Sequence, residues 1–174
     1  RLSKLMLFSI APLNNTHQRN TFNCHSEVLT RYFQQQVNQD IKRKITACFV
    51  ALNNEGVIAG YYTLAASSML LNDLPSDIRQ KLPRYPSVPA VRMGRLAVDT
   101  HFIGLGLGGA LVADALQRTL KSDIAAYAMV VDAKDETAVA FYQHHGFIRL
   151  IDSPLTLFLP LSTAQKLLNT PSRR

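Results

Sequence analysis

Apolar residues recur at every fourth position from Leu29 through Phe33 and Val37 to Ile41, a spacing that predicts an amphipathic helix over 27–44. Ser26 stands where an N-cap belongs, and Lys42, Arg43 and Lys44 end the helix where cations favour its dipole. Upstream, 5–10 reads as a strand closed by Pro12. Downstream, apolar runs over 46–52 and 57–66 flank Asn53-Asn54-Glu55-Gly56, which predicts an antiparallel hairpin. The periodicity then fails over 67–89, where Pro75, Pro83, Pro86 and Pro89 surround a short helical patch over 76–81. Long irregular connections of this kind often carry function. A strand follows over 91–98, then a helix from about 106 to 121. The run 124–133 is too continuously apolar for a half-exposed strand and reads as a buried one. A short helix over 136–144, strands over 147–151 and 155–161 and a terminal helix over 162–168 complete the chain, with a frayed tail.

Early antiparallel strands and a later β-α-β unit define an α/β chain, with a mixed, mainly antiparallel sheet and helices on both faces. At 174 residues it reads as a single domain over 1–174. Its 47% apolar content excludes disorder. No apolar run approaches the roughly 18 residues of a membrane span, and no signal-peptide pattern opens the chain, so the expectation is a cytoplasmic protein away from the membrane. Cys24 and Cys48 lie among apolar residues without CxxC spacing and read as buried free thiols. The histidines lack metal-ligand spacing, and adjacent His144 and His145 would point about 100° apart on a helix, so no metal site is expected. The 19 Lys and Arg against 12 Asp and Glu leave +7, which favours a polyanionic partner.

The candidate chemistry centres on Gly104, Gly106, Gly108 and Gly109 at the start of the 106–121 helix. Bare backbone N–H groups at a helix N-terminus make an anion site suited to a diphosphate. Three readings compete: tight packing alone, a dinucleotide and an acyl-CoA. The cluster contains GxGxxG, and Asp132 ends the next strand, as a dinucleotide fingerprint would have it. Against that reading, the residues from Asp99 to Ile103 separate strand from glycines, and the cluster begins too late for a doubly wound sheet.

The run R-L-A-V-D, a short loop, G-x-G-x-G-G-A-L, a helix, a strand and D-E-T-A-V-A-F-Y-Q-H-H-G-F resembles the GNAT N-acetyltransferases over nearly the whole chain. The resemblance implies the GNAT fold, with acetyl-CoA as acetyl donor on a central β-α-β unit. It places Leu96, Ala97 and Val98 along the acetyl and pantetheine arm. It assigns Ile103, Gly104, Leu105, Gly106, Leu107, Gly108 and Gly109 to the pyrophosphate loop, and Asp135 and Phe141 to the later cofactor contacts. Two positions depart from the family. Ile103 replaces a usual Gln or Arg, so backbone donors carry more of the phosphate binding or a basic side chain from elsewhere helps. Asp135 replaces a usual Asn.

Acetyl transfer to an amine needs a neutral amine, a stabilised oxyanion and a protonated leaving thiolate. A Tyr hydroxyl near pKa 10 carries its proton at pH 7. The match of Ala138, Tyr142, Gly146 and Phe147 to the family's later motif implies Tyr142 as the catalytic general acid, whereas the local pattern alone favours a packed aromatic. Asp99, Asp132 and Glu136 are candidate bases by location only. An α-amine, with pKa about 7.7–8.0, is partly neutral without a base, which points to an α-amine acceptor.

Further segments, F-N-C-x-x-E-x-L-x-R-Y, Q-D-x-K-R-K, I-A-G-Y-Y-T-L and L-P-R-Y-P-S-V-P-A, are similar to one GNAT subgroup, the acetyltransferase toxins of bacterial toxin–antitoxin pairs. This resemblance implies acetylation of the α-amino group of aminoacyl-tRNA and arrest of translation. It also implies an antitoxin partner of ribbon-helix-helix type and a homodimer. Lys42, Arg43, Lys44, Arg79, Arg84 and Arg92 are the candidate tRNA contacts; the competing assignment is ordinary surface charge. The alternatives for the whole chain are a GNAT enzyme acting on a small amine or a protein N-terminus, and a non-catalytic CoA-binding module.

Overall fold

Edge strands tolerate proline, and here Pro12 ends β1 (Ser9–Pro12) as a paired residue rather than lying past it. The structure, a computed structural model, describes residues 8–169; the forecast strand residues before Phe8 and the tail after Asn169 lie outside them. Two compact units are distinguished. One comprises the chain up to Ala65 with Gly94–Ala115, the other Ala66–Met93 with the chain from Leu116 onward. The strands hydrogen-bond in the order β1-β2-β3-β4-β5-β7-β6.

In the first unit β1 pairs antiparallel with β2 (Ala47–Leu52), from Ser9↔Leu52 to Pro12↔Phe49. β2 pairs antiparallel with β3 (Ile58–Leu70) as the hairpin pattern predicts, with a register shift between Ala51 and Leu52. Asn53 holds the turn, its Oδ1 accepting from Glu55 N and Val57 N at 2.9 Å. The helix expected over 27–44 is composite: α1 (Glu27–Arg31), a π-helical stretch (Tyr32–Gln36) and α2 (Val37–Lys42). Ser26 caps it, accepting from Leu29 N at 3.2 Å.

The π stretch has a reason in the sequence. On a regular helix, a four-residue step overshoots a full turn by about 40°, so Leu29, Phe33, Val37 and Ile41 would drift off one face. The wider π turn corrects that drift and keeps all four against the core. Its loosened carbonyls find a partner, since Arg19 Nη1 donates to Phe33 O at 3.0 Å and to Gln34 O at 3.3 Å. Phe33 stacks on Tyr61 at 4.4 Å between ring centroids, with Phe22 edge-on to Tyr61 at 5.4 Å. Cys24 and Cys48 are buried free thiols in this core, and burial pushes the Cys48 thiol up to about 12.

Sheet pairing extends two elements beyond their sequence pattern. β3 runs to Leu70, and β4 (Ser87–Val98) begins before 91 despite Pro89. The irregular connection therefore narrows to 71–86, with a 3-10 turn (Leu71–Asp73) and α3 (Ser76–Arg79) inside it. α4 (Leu107–Lys121) follows the glycine cluster.

In the second unit β4 pairs in parallel with β5 (Ala128–Asp132), and that ladder ends at Met93↔Val131. The residues Ala128 to Val131 are buried, as a two-sided strand requires. The apolar run overstated this strand: Ile124 is 83% exposed and lies outside it, because no strand pairs with it. α5 (Glu136–His144) falls where predicted. β6 (Ile148–Arg149) and β7 (Thr156–Pro160) are shorter than their patterns; β7 pairs antiparallel with both β5 and β6. α6 (Leu161–Asn169) closes the described chain.

Candidate functional site

The glycine cradle belongs to the first unit. β4 ends in Leu96, Ala97 and Val98, and it lies close to β3: a Cβ on Gly60 would meet Ala97 O and Leu111 Cδ1, each at 3.0 Å. Asp99 then starts the loop, with its N donating to Ala59 O at 2.8 Å. Its buried carboxylate accepts from Asn23 N, His101 N and the His101 ring Nδ1, all at 2.9 Å. A 3-10 turn (Thr100–Phe102) leads to Ile103, which is 52% exposed.

Gly104 and Gly106 take φ of +83° and +77°, which side chains disfavour, and this is why glycine stands at both. Leu107 is buried and anchors the first turn of α4, which also holds Gly108 and Gly109. The first N–H groups of a helix have no partner within it. The first N–H groups of α4 follow glycines, and Ile103 and Leu105 offer no charge, so the residues present fit a diphosphate held by backbone N–H groups.

Asp99 is thus the anchor of this loop, a role that its position alone did not reveal. Asp99→Ala would strand the N–H groups of Asn23 and His101. A loss of about 2–3 kcal/mol in unfolding free energy is expected by denaturant titration.

Tyr142 belongs to the second unit. α5 is capped by Asp135, whose Oδ1 accepts from Ala138 N at 2.8 Å, so the structure gives this residue a capping role. Tyr142 is 4% exposed, with Phe141 and Phe147 packed edge-on at 5.2 and 5.6 Å. Its hydroxyl has no hydrogen-bond partner among the described residues. Burial, and then the charge of Asp132, push its pKa well above the ordinary tyrosine value. The phenol therefore keeps its proton at neutral pH. Beside Phe141, His145 is held below the usual histidine pKa by burial and by His144.

The three candidate bases are all engaged. Asp99 receives three donors; Asp132 accepts from Arg92 Nη1 with both oxygens at 2.6 Å; Glu136 is paired with Arg149. No free carboxylate stands among these three, which agrees with an acceptor that needs no strong base.

The basic candidates fall into separate settings. Lys42, Arg43 and Lys44 are exposed at the end of α2, without ion-pair partners among the described residues, and Lys44 takes a φ of +61° as the chain leaves the helix. Arg79 and Arg84 share one cleft of the second unit. Arg92 lines a different, smaller pocket with Asp73, Ser153 and Thr156, and its charge is offset by Asp132. No helix among the described residues is long and apolar enough to cross a membrane.

A mixed sheet with a glycine-started helix after β4 and a buried tyrosine on the following helix defines an acyl-CoA-dependent transferase. Residues 14–156 match the acetyltransferase (GNAT) domain, and the chain belongs to that acetyltransferase family. It is 36% identical over 123 residues to a tRNA-acetylating toxin of Mycobacterium tuberculosis, covering 70% of this chain and 72% of the relative. It is 29% identical over 170 residues to a probable toxin TacT of Sinorhizobium fredii, covering 91% and 94%. Among solved structures, AtaT complexed with acetyl-methionyl-tRNAfMet superposes with a TM-score of 0.82 at 30% identity, over 93% of this chain and 99% of that one. AtaTR bound with acetyl-CoA superposes with a TM-score of 0.78 at 30% identity, over 93% and 98%.

Proposed function

We propose that this chain is an acetyl-CoA-dependent N-acetyltransferase toxin that acetylates the α-amino group of aminoacyl-tRNA and so stops translation. The observation that carries the chemistry is Tyr142: a buried phenol, held protonated, whose hydroxyl has no hydrogen-bond partner among the described residues. In this reading the N–H groups at Gly104, Gly106, Gly108 and Gly109 hold the cofactor diphosphate. The backbone of Leu96, Ala97 and Val98 receives the pantetheine arm. Ile103 and Leu105 flank the diphosphate, Leu107 anchors the first turn of α4, Phe141 offers a further cofactor contact, and Asp135 contributes by fixing the start of α5. Acetyl-CoA supplies the acetyl group as a thioester. The neutral amine attacks the thioester carbonyl and forms the C–N bond; Tyr142 gives its proton to the departing sulfur as the C–S bond breaks, and regains the proton shed by the acylated nitrogen through solvent.

The engaged state of Asp99, Asp132 and Glu136 supports an α-amine, which sheds its proton near neutrality unaided. The relatives' tRNA acetylation and the +7 charge support a charged tRNA as the carrier of that amine. Solved structures of AtaT bound to the C-terminus of the antitoxin AtaR support a cognate antitoxin as partner. The ribbon-helix-helix type of that antitoxin, a homodimeric toxin and a cytoplasmic location complete the proposal.

The test is incubation with labelled acetyl-CoA and either charged or deacylated tRNA. Label on charged tRNA alone is expected. Label on free amines with none on tRNA would move the assignment to a small-amine acetyltransferase.

A further inference from the structure

The connection 71–86 is built as a compact surface loop. Its ends are joined by Leu71 N donating to Pro86 O at 3.1 Å. One side is pinned: Leu71 and Leu74 are buried, and Ile78 and Leu82 pack on the same cluster as Val88, Val130 and Phe158. Pro75, Pro83 and Pro86 stiffen it. Closed loops of this length and packing are frequently functional.

The loop also borders an open cleft of about 620 Å³, floored in part by Leu71 and Leu82 and within the range of ligand sites. Arg79, Arg84, Tyr85, Asn72 and Gln80 line it, with no carboxylate among the lining residues. Neither arginine has an ion-pair partner among the described residues, and the Tyr85 hydroxyl has no hydrogen-bond partner. Tyr85 is 65% exposed, so its ring face is open to a ligand. Two unpaired guanidinium groups suit a phosphate, a bare aromatic face suits a base, and two side-chain amides suit the donor and acceptor edge of that base.

From this geometry we infer that the cleft is a subsite for an unpaired nucleotide, with the base on Tyr85 and its phosphates on Arg79 and Arg84. The inference rests on the charged-tRNA reading above and deepens it. Charged tRNA ends in unpaired nucleotides, and stacking holds single-stranded bases without requiring a particular sequence.

The chain contains no tryptophan, so Tyr85→Trp puts a single indole reporter in the cleft. Its fluorescence is expected to be quenched by a CCA trinucleotide and to lose that response when Arg79 and Arg84 are both changed to Gln. Tyr85→Ala is expected to raise the KM for charged tRNA about tenfold while leaving the KM for acetyl-CoA unchanged. Tyr85→Phe, which keeps the stacking face, is expected to recover most of that loss. An unquenched indole together with an unaltered tRNA KM overturns the subsite, as does quenching by an acidic peptide but not by the trinucleotide. If the wild-type chain acetylates no charged tRNA while the trinucleotide still quenches the indole, the acceptor reading fails and the nucleotide subsite stands.

Discussion

Tyr142→Phe is expected to leave folding and acetyl-CoA affinity unchanged while lowering kcat on charged tRNA by about a hundred- to ten-thousandfold. The substitution removes one oxygen and keeps the ring packed between Phe141 and Phe147. That oxygen has no partner to lose among the described residues, so a merely structural tyrosine would tolerate the change. A calorimetric titration with acetyl-CoA separates binding from turnover, and near-wild-type turnover would remove Tyr142 from the mechanism.

The pH profile follows from the same environment. Burial and Asp132 raise the pKa of Tyr142, so the proton that it must donate stays in place below pH 10. The acceptor α-ammonium loses its proton through about pH 7.7–8.0. The wild-type rate should therefore rise across that interval and hold a plateau on the alkaline side. A rate that falls between about pH 8 and 10 would contradict the protection of the phenol.

Salt should have the second large effect. If Lys42, Arg43 and Lys44 neutralise about three phosphates, raising salt from about 50 to 200 mM should lower kcat/KM for charged tRNA about fortyfold. Neutralising all three should flatten the log–log salt slope by about 3 and raise the tRNA KM at low salt, with acetyl-CoA binding unaltered. These side chains are exposed and unpaired among the described residues, so their removal leaves nothing buried without a partner. Unchanged tRNA affinity would make them a plain solvated helix end.

What the chain declares locally survives folding with little change. The Ser26 and Asp135 caps, the Asn53 turn, the glycines at positive φ and the 136–144 helix depend on neighbours within a few residues, so sequence periodicity and turn chemistry reach them directly. The glycine cluster was legible for the same reason, since its positive φ values and its place at the start of α4 are local features. Even the π stretch is latent in the four-residue spacing of Leu29, Phe33, Val37 and Ile41, although its energetic acceptance rests on Arg19, which arrives from outside the helix.

Elements whose limits depend on a distant partner were read less well. β3 and β4 outgrow their patterns because strand pairing extends them, and Ile124 drops out of β5 because no strand meets it. Charge behaved the same way. Arg92 is quieted by Asp132, forty positions away, and Arg79 and Arg84 converge only because 71–86 closes on itself. The amino-acid order alone therefore pointed to the class of chemistry and to local elements such as caps, turns and the glycine cluster. Tertiary structure decided which carboxylates and arginines are free, since ion pairing and burial depend on positions brought together by the chain's return.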